Sequence, residues 1–446
     1  MISEPHVKKI FDQVMSYSTS DKTIAYLTGG KEALTRFAKN SIHQNVLTKD
    51  YFLKVVVEKD GKIGMSTSNI FNDDNIKNVV AKAESVAAHQ TRKNKLYFNE
   101  KIEDYRRINL YDISVFEMTP EDRAICVKEI CDVAAKENYE TSGAYSVNDW
   151  LTAVASNNGF YGYHIETQAN LTITVMDDNG NAGFAEEHGH RVSDINHLRA
   201  AEIAVDKVKK SQNRLKLNAG RYDVILEHSA VTSLLGFMIY LGLGAQSVID
   251  GTSFLNDKIG QKLTGDNFTL IEDATYFGTD GRTFDYQGVP RKPVTLFEKG
   301  IAKGFVHDLK TAEKMGVEST GHGNPYPSLY GPMPFNTRLE AGNSSIKEMI
   351  KNTEYGIYIT HFHYDNVVDP KVPILTGMTR DGTFLVEKGE IVGSIGNLRY
   401  NEKVLEAFSR IEALSADRKL FYEWGKMLVP AMKIKDFNFT GGTADA

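Results

Sequence analysis

A short turn sequence occurs twice in this chain. Asp60-Gly61-Lys62-Ile63-Gly64 is matched by Asn179-Gly180-Asn181-Ala182-Gly183, 119 residues further on. Asp-Gly and Asn-Gly supply the positive backbone φ that a tight hairpin turn needs. Before the first copy comes a helix from about Pro5 to Met15, with Val7, Ile10, Phe11 and Val14 on one stripe. Strand-like runs follow at Thr23–Leu27, Leu34–Ala38, Ile42–Leu47 and Tyr51–Val57, and the turn leads into Lys62–Thr67. Phe71-Asn72-Asp73-Asp74 then caps a helix reaching about Ala88. The order returns: Thr119-Pro120-Glu121-Asp122 opens a helix to about Lys136. Strands are expected at Glu140–Val147, Leu151–Ser156, Tyr161–Thr167 and Leu171–Met176, and Ser193-Asp194 caps a helix to Lys210. A duplicated unit, 1–115 and 116–218, accounts for this order; two unrelated hairpin-plus-helix units would give it as well.

The pattern changes after the basic, polar stretch Lys207 to Asn218, which places a domain boundary there. Arg221–Leu226 reads as a strand and His228–Leu243 as an apolar helix. From Asn267 to Glu390, short apolar runs alternate with turns. These are Thr279-Asp280-Gly281-Arg282, Glu298-Lys299-Gly300, Arg380-Asp381-Gly382-Thr383 and Glu387-Lys388-Gly389-Glu390. A helix from about Lys403 to Leu414 and a strand over Val429–Phe439 close the chain. The fold class is α+β. An N-terminal α/β domain (1–218) precedes a mostly antiparallel, barrel-like or sandwich β domain with a few helices (219–446).

A chain of 446 residues with 41% hydrophobic and 25% charged residues can bury two or three cores and is not disordered. A net charge of −6 argues against non-specific nucleic-acid binding. The two cysteines, Cys126 and Cys131, fall five apart on one expected helix and read as buried filler in a reducing compartment. The N-terminus has no apolar signal segment, and Leu234 to Ala245 is too short to span a bilayer. Together these features predict a cytoplasmic protein without nucleic-acid or membrane partners.

Histidine carries most of the available chemistry. His188 and His190, in Glu186-Glu187-His188-Gly189-His190, share a strand face and could reach one metal; a mixed-charge surface loop explains them equally. His361 and His363 share a face too, with Asp365 as a third ligand or orienting carboxylate, and a half-exposed strand face is the plainer account. His228 sits at a strand–helix junction, where ligands often bind. The residues after it, Ser229, Val231, Thr232 and Ser233, offer no second ligand and no general base. Leu241-Gly242-Leu243-Gly244 lacks the Lys-Ser/Thr of a phosphate loop, and Ser229 and Ser233 lack a nucleophile elbow.

Several stretches taken in order resemble the TldD/PmbA family, bacterial and archaeal proteins linked to peptide maturation and once labelled modulators of DNA gyrase. They begin with Arg36-Phe37-Ala38-Lys39-Asn40-Ser41-Ile42-His43-Gln44-Asn45. Ser253-Phe254-Leu255-Asn256-Asp257-Lys258-Ile259-Gly260 and Phe284-Asp285-Tyr286-Gln287-Gly288-Val289-Pro290 follow. Next come Ser319-Thr320-Gly321-His322-Gly323 and Leu375-Thr376-Gly377-Met378-Thr379-Arg380-Asp381-Gly382. The tail segments Val429-Pro430-Ala431-Met432 and Phe437-Asn438-Phe439-Thr440 fit as well. The resemblance covers essentially the whole chain.

The family's catalytic branch is a zinc metallopeptidase built on a His-Glu-x-x-x-His stretch and a late cysteine. The matching stretch in this chain is His228-Ser229-Ala230-Val231-Thr232-Ser233, with Ser229 and Ser233 replacing the Glu and the second His. No cysteine follows Cys131. The resemblance therefore implies the PmbA (TldE) branch: a non-catalytic subunit of a cytosolic metallopeptidase complex that processes or degrades unfolded peptides. It implies no cofactor in this chain and zinc on a TldD-like catalytic partner. Extended peptides would be its substrates, taken by strand addition, and it could form a homodimer when alone. Two other readings stand beside it. One is an active peptidase with a displaced metal site at His361, His363 and Asp365, or less well at His188 and His190. The other is a non-proteolytic protein that binds gyrase or another target.

Overall fold

In the computed structural model, which describes residues 2–442, the N-terminal half builds one antiparallel sheet with helices on one face. Met1 and 443–446, the end of the expected second domain, lie outside the described residues. Val7, Ile10, Phe11 and Val14 are all buried, so α1 (Glu4–Tyr17) turns its apolar stripe onto the sheet. Strands β1 (Lys22–Ala38), β2 (Ser41–Lys59) and β3 (Lys62–Ser68) form a meander, followed by α2 (Asp73–His89), capped by Asn72. A short α3 (Ile113–Glu117) precedes α4 (Pro120–Ala135), which opens on a complete capping box between Thr119 and Asp122. The second meander is β4 (Glu140–Ser156), β5 (Tyr161–Met176) and β6 (Ala182–Gly189), followed by α5 (His197–Lys210). The strand order β3-β2-β1-β4-β5-β6 sets the two meanders back to back, joined by antiparallel β1–β4 pairing.

Several local expectations change. The eight short strands predicted ahead of the two turns are four long ones. Gly29-Gly30, which reads as a break, continues the ladder with Tyr51 and Asp50. A Cβ there would lie 2.1 Å from the Asp50 carbonyl oxygen at Gly29 and 1.8 Å from that of Asp149 at Gly30. The glycines admit close backbone approach inside a strand. Asp60-Gly61 is a two-residue turn with φ of 52° and 73°. Asn179-Gly180 instead lies in a longer loop, 177–181, where the Asp177 carboxylate accepts the N–H groups of Asn179 and Asn181. Asn196, and not Ser193-Asp194, caps α5 by accepting the Arg199 N–H at 3.0 Å. Cys131 is buried and Cys126 half-buried on α4, both as free thiols. Residues Ser41–Phe52 of β2 run past the end of β3 and leave an unpaired edge bearing exposed Ile42, Val46 and Leu47.

The C-terminal half begins with β7 (Arg214–Leu215), β8 (Gly220–Leu226), α6 (His228–Gly242) and α7 (Ala245–Ile249). Then come β9 (Leu270–Glu272), β10 (Val294–Glu298), β11 (Ile301–Ala302), α8 (Leu309–Met315), β12 (Asn336–Leu339) and α9 (Ile346–Lys351), with long loops before β9, β10 and β12. The remaining elements are β13 (Tyr355–Asp369), β14 (Ile374–Glu387), β15 (Glu390–Ile395), β16 (Arg399–Lys403), α10 (Val404–Ser409), β17 (Ile411–Phe421) and β18 (Lys426–Gly441). Pairing runs β18-β8-β13-β14, and β16 bridges β14 back to β18, which closes a small barrel around Phe362, Tyr400 and Phe437. The class is α+β.

Glu298-Lys299-Gly300 and Glu387-Lys388-Gly389-Glu390 are hairpin turns. Arg380-Asp381-Gly382-Thr383 is not a turn: Asp381 and Gly382 form a bulge within β14, where pairing steps from Ile359–Thr383 to His361–Arg380. Thr279-Asp280-Gly281-Arg282 lies in the loop between β9 and β10. The expected helix Lys403–Leu414 stops at Ser409, because Ile411 pairs with Ile434 of β18. Among the described residues no helix is long and apolar enough to cross a membrane.

Candidate functional site

α6 starts directly where β8 ends, between β13 and β18, and this junction faces β6 of the first half. Glu227 anchors the junction: its N–H donates to the Ile359 carbonyl. Its carboxylate pairs with the buried Lys207 of α5 at 2.8 Å and accepts the Tyr358 hydroxyl. His228 is buried, and burial pushes its pKa below the ordinary imidazole value. Its Nε2 lies 3.2 Å from Asp417 Oδ2 without making a hydrogen bond. A cavity of about 270 Å³ opens here, walled by Glu186, Lys207, Glu227, His228 and Ser229.

Ser229 and Ser233 stand one turn apart on α6, so their hydroxyls leave the helix on one side. Ser229 lies beside the Glu186 carboxyl, and Ser233 beside that of Asp365, and each serine favours the ionised form. Glu186 also meets His188 Nε2 at 2.9 Å, and His188 Nδ1 meets Asn170 Oδ1 at 2.9 Å. Burial raises the Glu186 pKa, but the His188 contact and the neighbouring Ser229 outweigh it and hold the carboxyl below its usual range. Asp365 is pushed up by burial, against the Tyr400 hydroxyl, which donates at 2.7 Å, and the neighbouring Ser233. Glu423, in the turn between β17 and β18, is pushed up by burial and then by the charges of Glu186 and Asp365. His361 stacks on Phe184 of β6, centroids 4.1 Å apart, and its Nε2 has no hydrogen-bond partner.

The fold thus gathers His188, Ser229, Ser233, His361 and Asp365 around Glu186 and Glu423, although the sequence places them on three separate elements and a turn. Glu423 and the Lys207–Glu227 pair carry no sequence signal of this role. His190 is outside the group, with its Nδ1 3.3 Å from the Thr167 carbonyl and 3.3 Å from the Tyr422 hydroxyl. His363 lies beside Tyr364 on the exposed stretch of β13.

Neither expected metal set is assembled. Tyr364 has a φ of 55°, and the β13–β14 register shifts between His363 and Asn366, so Asp365 turns inward to Tyr400 while His361 is held against Phe184. His188 and His190 have separate partners. Among the described residues no group of three His, Cys, Asp or Glu side chains is placed to hold a metal ion. A peptidase zinc needs three ligands and an open position for water, and the residues around His228 do not fit one. What they form is a recess of carboxylates and imidazoles suited to accepting N–H groups, such as those of an extended peptide backbone.

Residues 219–441 match the family described as the PmbA/TldA metallopeptidase C-terminal domain. The chain is 28% identical to a metalloprotease TldD homolog of Buchnera aphidicola over 66% of each chain. It is 25% identical to a metalloprotease of Methanocaldococcus jannaschii over 80% of this chain and 81% of that protein. The crystal structure of TldE from Thermococcus kodakarensis superposes with a TM-score of 0.88 at 18% identity, covering 98% of this chain and 100% of the other. At that identity the likeness is one of fold.

Proposed function

Since this chain belongs to the PmbA/TldD metallopeptidase family, we propose that it is the subunit that does not carry the zinc in a cytoplasmic two-chain peptidase. It shapes the chamber and presents unfolded peptide to a catalytic TldD-like partner, which binds the zinc. The observation that supports this reading most directly is the state of α6. Ser229 and Ser233 stand where the catalytic stretch has its Glu and second His, and each lies beside a carboxyl group of the chain itself, Glu186 and Asp365. Of the ligands of that stretch, α6 itself keeps one imidazole, His228, which is packed in the core. The unpaired edge Ser41–Phe52 offers backbone groups for strand addition, which is largely indifferent to side-chain identity.

Metal content and cleavage test this. The purified chain, after dialysis against excess zinc and then buffer, should retain less than roughly 0.1 equivalent of metal, since a true peptidase site holds zinc firmly. Unfolded peptide should be cut only when a partner with an intact His-Glu-x-x-x-His stretch is added. One tightly held equivalent, lost on replacing His361 and His363, would contradict the proposal and restore the displaced-site reading. Gyrase binding with no cleavage under either condition would favour the non-proteolytic one.

A further inference from the structure

A second group of charges lies where the bare face of the first sheet meets the loops of the C-terminal half, and most of it is internally balanced. Lys426 donates to Glu166 at 2.6 Å and to the Asp280 carbonyl at 2.7 Å, with His164 3.4 Å from the same carboxylate. Arg291 donates to Glu272, and to Asn336 Oδ1 at 2.6 Å. Arg282 differs. Its carbonyl accepts from Arg291 at 3.4 Å, but among the described residues its side chain makes no hydrogen bond or ion pair, and the buried Nη1 has no partner. Its guanidinium lies 3.8 Å over the Tyr286 ring. Asp285 is nearby, but its carboxylate accepts the backbone N–H groups of Gln287, Val289 and Gly323. The Nε of Arg291, whose side chain is only 6% exposed, is unpartnered as well.

Both arginines wall a cavity of about 370 Å³, and Trp150, Phe335 and Tyr422 give it flat apolar sides. Buried donors without acceptors are costly, and more so when charged. A guanidinium held flat on a ring keeps an edge free for two parallel hydrogen bonds, the geometry a carboxylate matches. We propose that this cavity is a carboxylate subsite that takes the C-terminus of a peptide, with Arg282 bonding the carboxylate and the aromatic walls receiving the last side chain. The inference rests on the peptide-presenting role above. The two cavities flank one turn: Tyr422 walls this one and Phe421 the recess at His228. A peptide anchored at Arg282 has only that turn to pass before it reaches Glu186.

Isothermal titration calorimetry of the full chain, without partner, with acetyl-Ala-Ala-Phe acid and with its C-terminal amide tests the subsite. The acid should bind at least about tenfold more tightly, as expected when a charge-assisted pair is lost. Arg282→Gln should abolish that preference without moving the thermal unfolding midpoint. If that variant fails to fold, the acid–amide comparison on the unaltered chain still decides. Equal affinities, no binding by either, or equal binding of an amide carrying an internal Asp would overturn the proposal. Partner-dependent cleavage without acid preference would remove the subsite alone; acid preference without such cleavage would remove only the subunit reading.

Discussion

Glu166 and Lys426 show how much one residue carries at the seam between the halves. The burial of Glu166 is offset by the Lys426 charge and the bond with His164, so its carboxyl stays well below the usual range and ionised. Glu166→Gln would leave the buried Lys426 cation without its partner. Chemical denaturation should show a loss of about 3–5 kcal/mol, and a loss near zero would mean that solvent reaches the lysine. Histidine sets the pH response. Burial pushes His164, His190, His228, His307 and His322 below the ordinary value of 6.5, so they are neutral when folded. The unfolded chain takes up protons first, and their stabilising contribution, full above 6.5, is lost as pH falls toward the lower folded values. The unfolding midpoint should drop between about pH 7.5 and pH 6; a flat or rising midpoint would contradict neutral burial. Asp285, pushed up to about 6, opposes this trend toward the lower end of that window and below it. Single residues were only partly legible in the sequence. Ser229 and Ser233 stand out as departures from a known stretch, whereas Glu423 is one acid among 58 Asp and Glu until the fold aims it at Glu186.

Among the elements, the two meanders each carry one glycine at a matching place. A Cβ on Gly64 would lie 2.0 Å from the Ala83 carbonyl oxygen of α2, and one on Gly183 would lie 2.1 Å from that of Ala204 on α5. Each glycine lets a helix settle onto its meander at the same place. Gly64→Ala and Gly183→Ala should therefore each cost about 1–3 kcal/mol by overpacking, and by similar amounts. Denaturation of the two variants checks this, and a neutral effect at either site would break the equivalence. These glycines, the Thr119–Asp122 capping box and the α1 stripe were readable because they are local. The continuity of β1 and β4 was not, since Gly29-Gly30 resembles a break until neighbouring strands are known to press against it. Ile411 illustrates the same limit: its neighbours favour helix, and pairing with distant Ile434 decides for strand.

For the whole molecule, the recess exists only where the halves meet. Phe184 stacks on His361, Lys207 pairs with Glu227, and Lys419 lies 3.5 Å from Glu187. No sequence pattern announces such a junction, because its members lie far apart along the chain. Ion pairs and stacking of this kind couple the two cores, so calorimetry should record one unfolding transition. Two separated transitions would show that the seam is weak. The sheet of the first half is two equivalent meanders meeting along β1 and β4, the arrangement that a pair of separate subunits would adopt about a two-fold axis. Carried on one polypeptide, that union occurs at an effective concentration on the order of millimolar whatever the dilution. Its two members need no longer be interchangeable, and only the second supplies Glu186 and His188 to the recess.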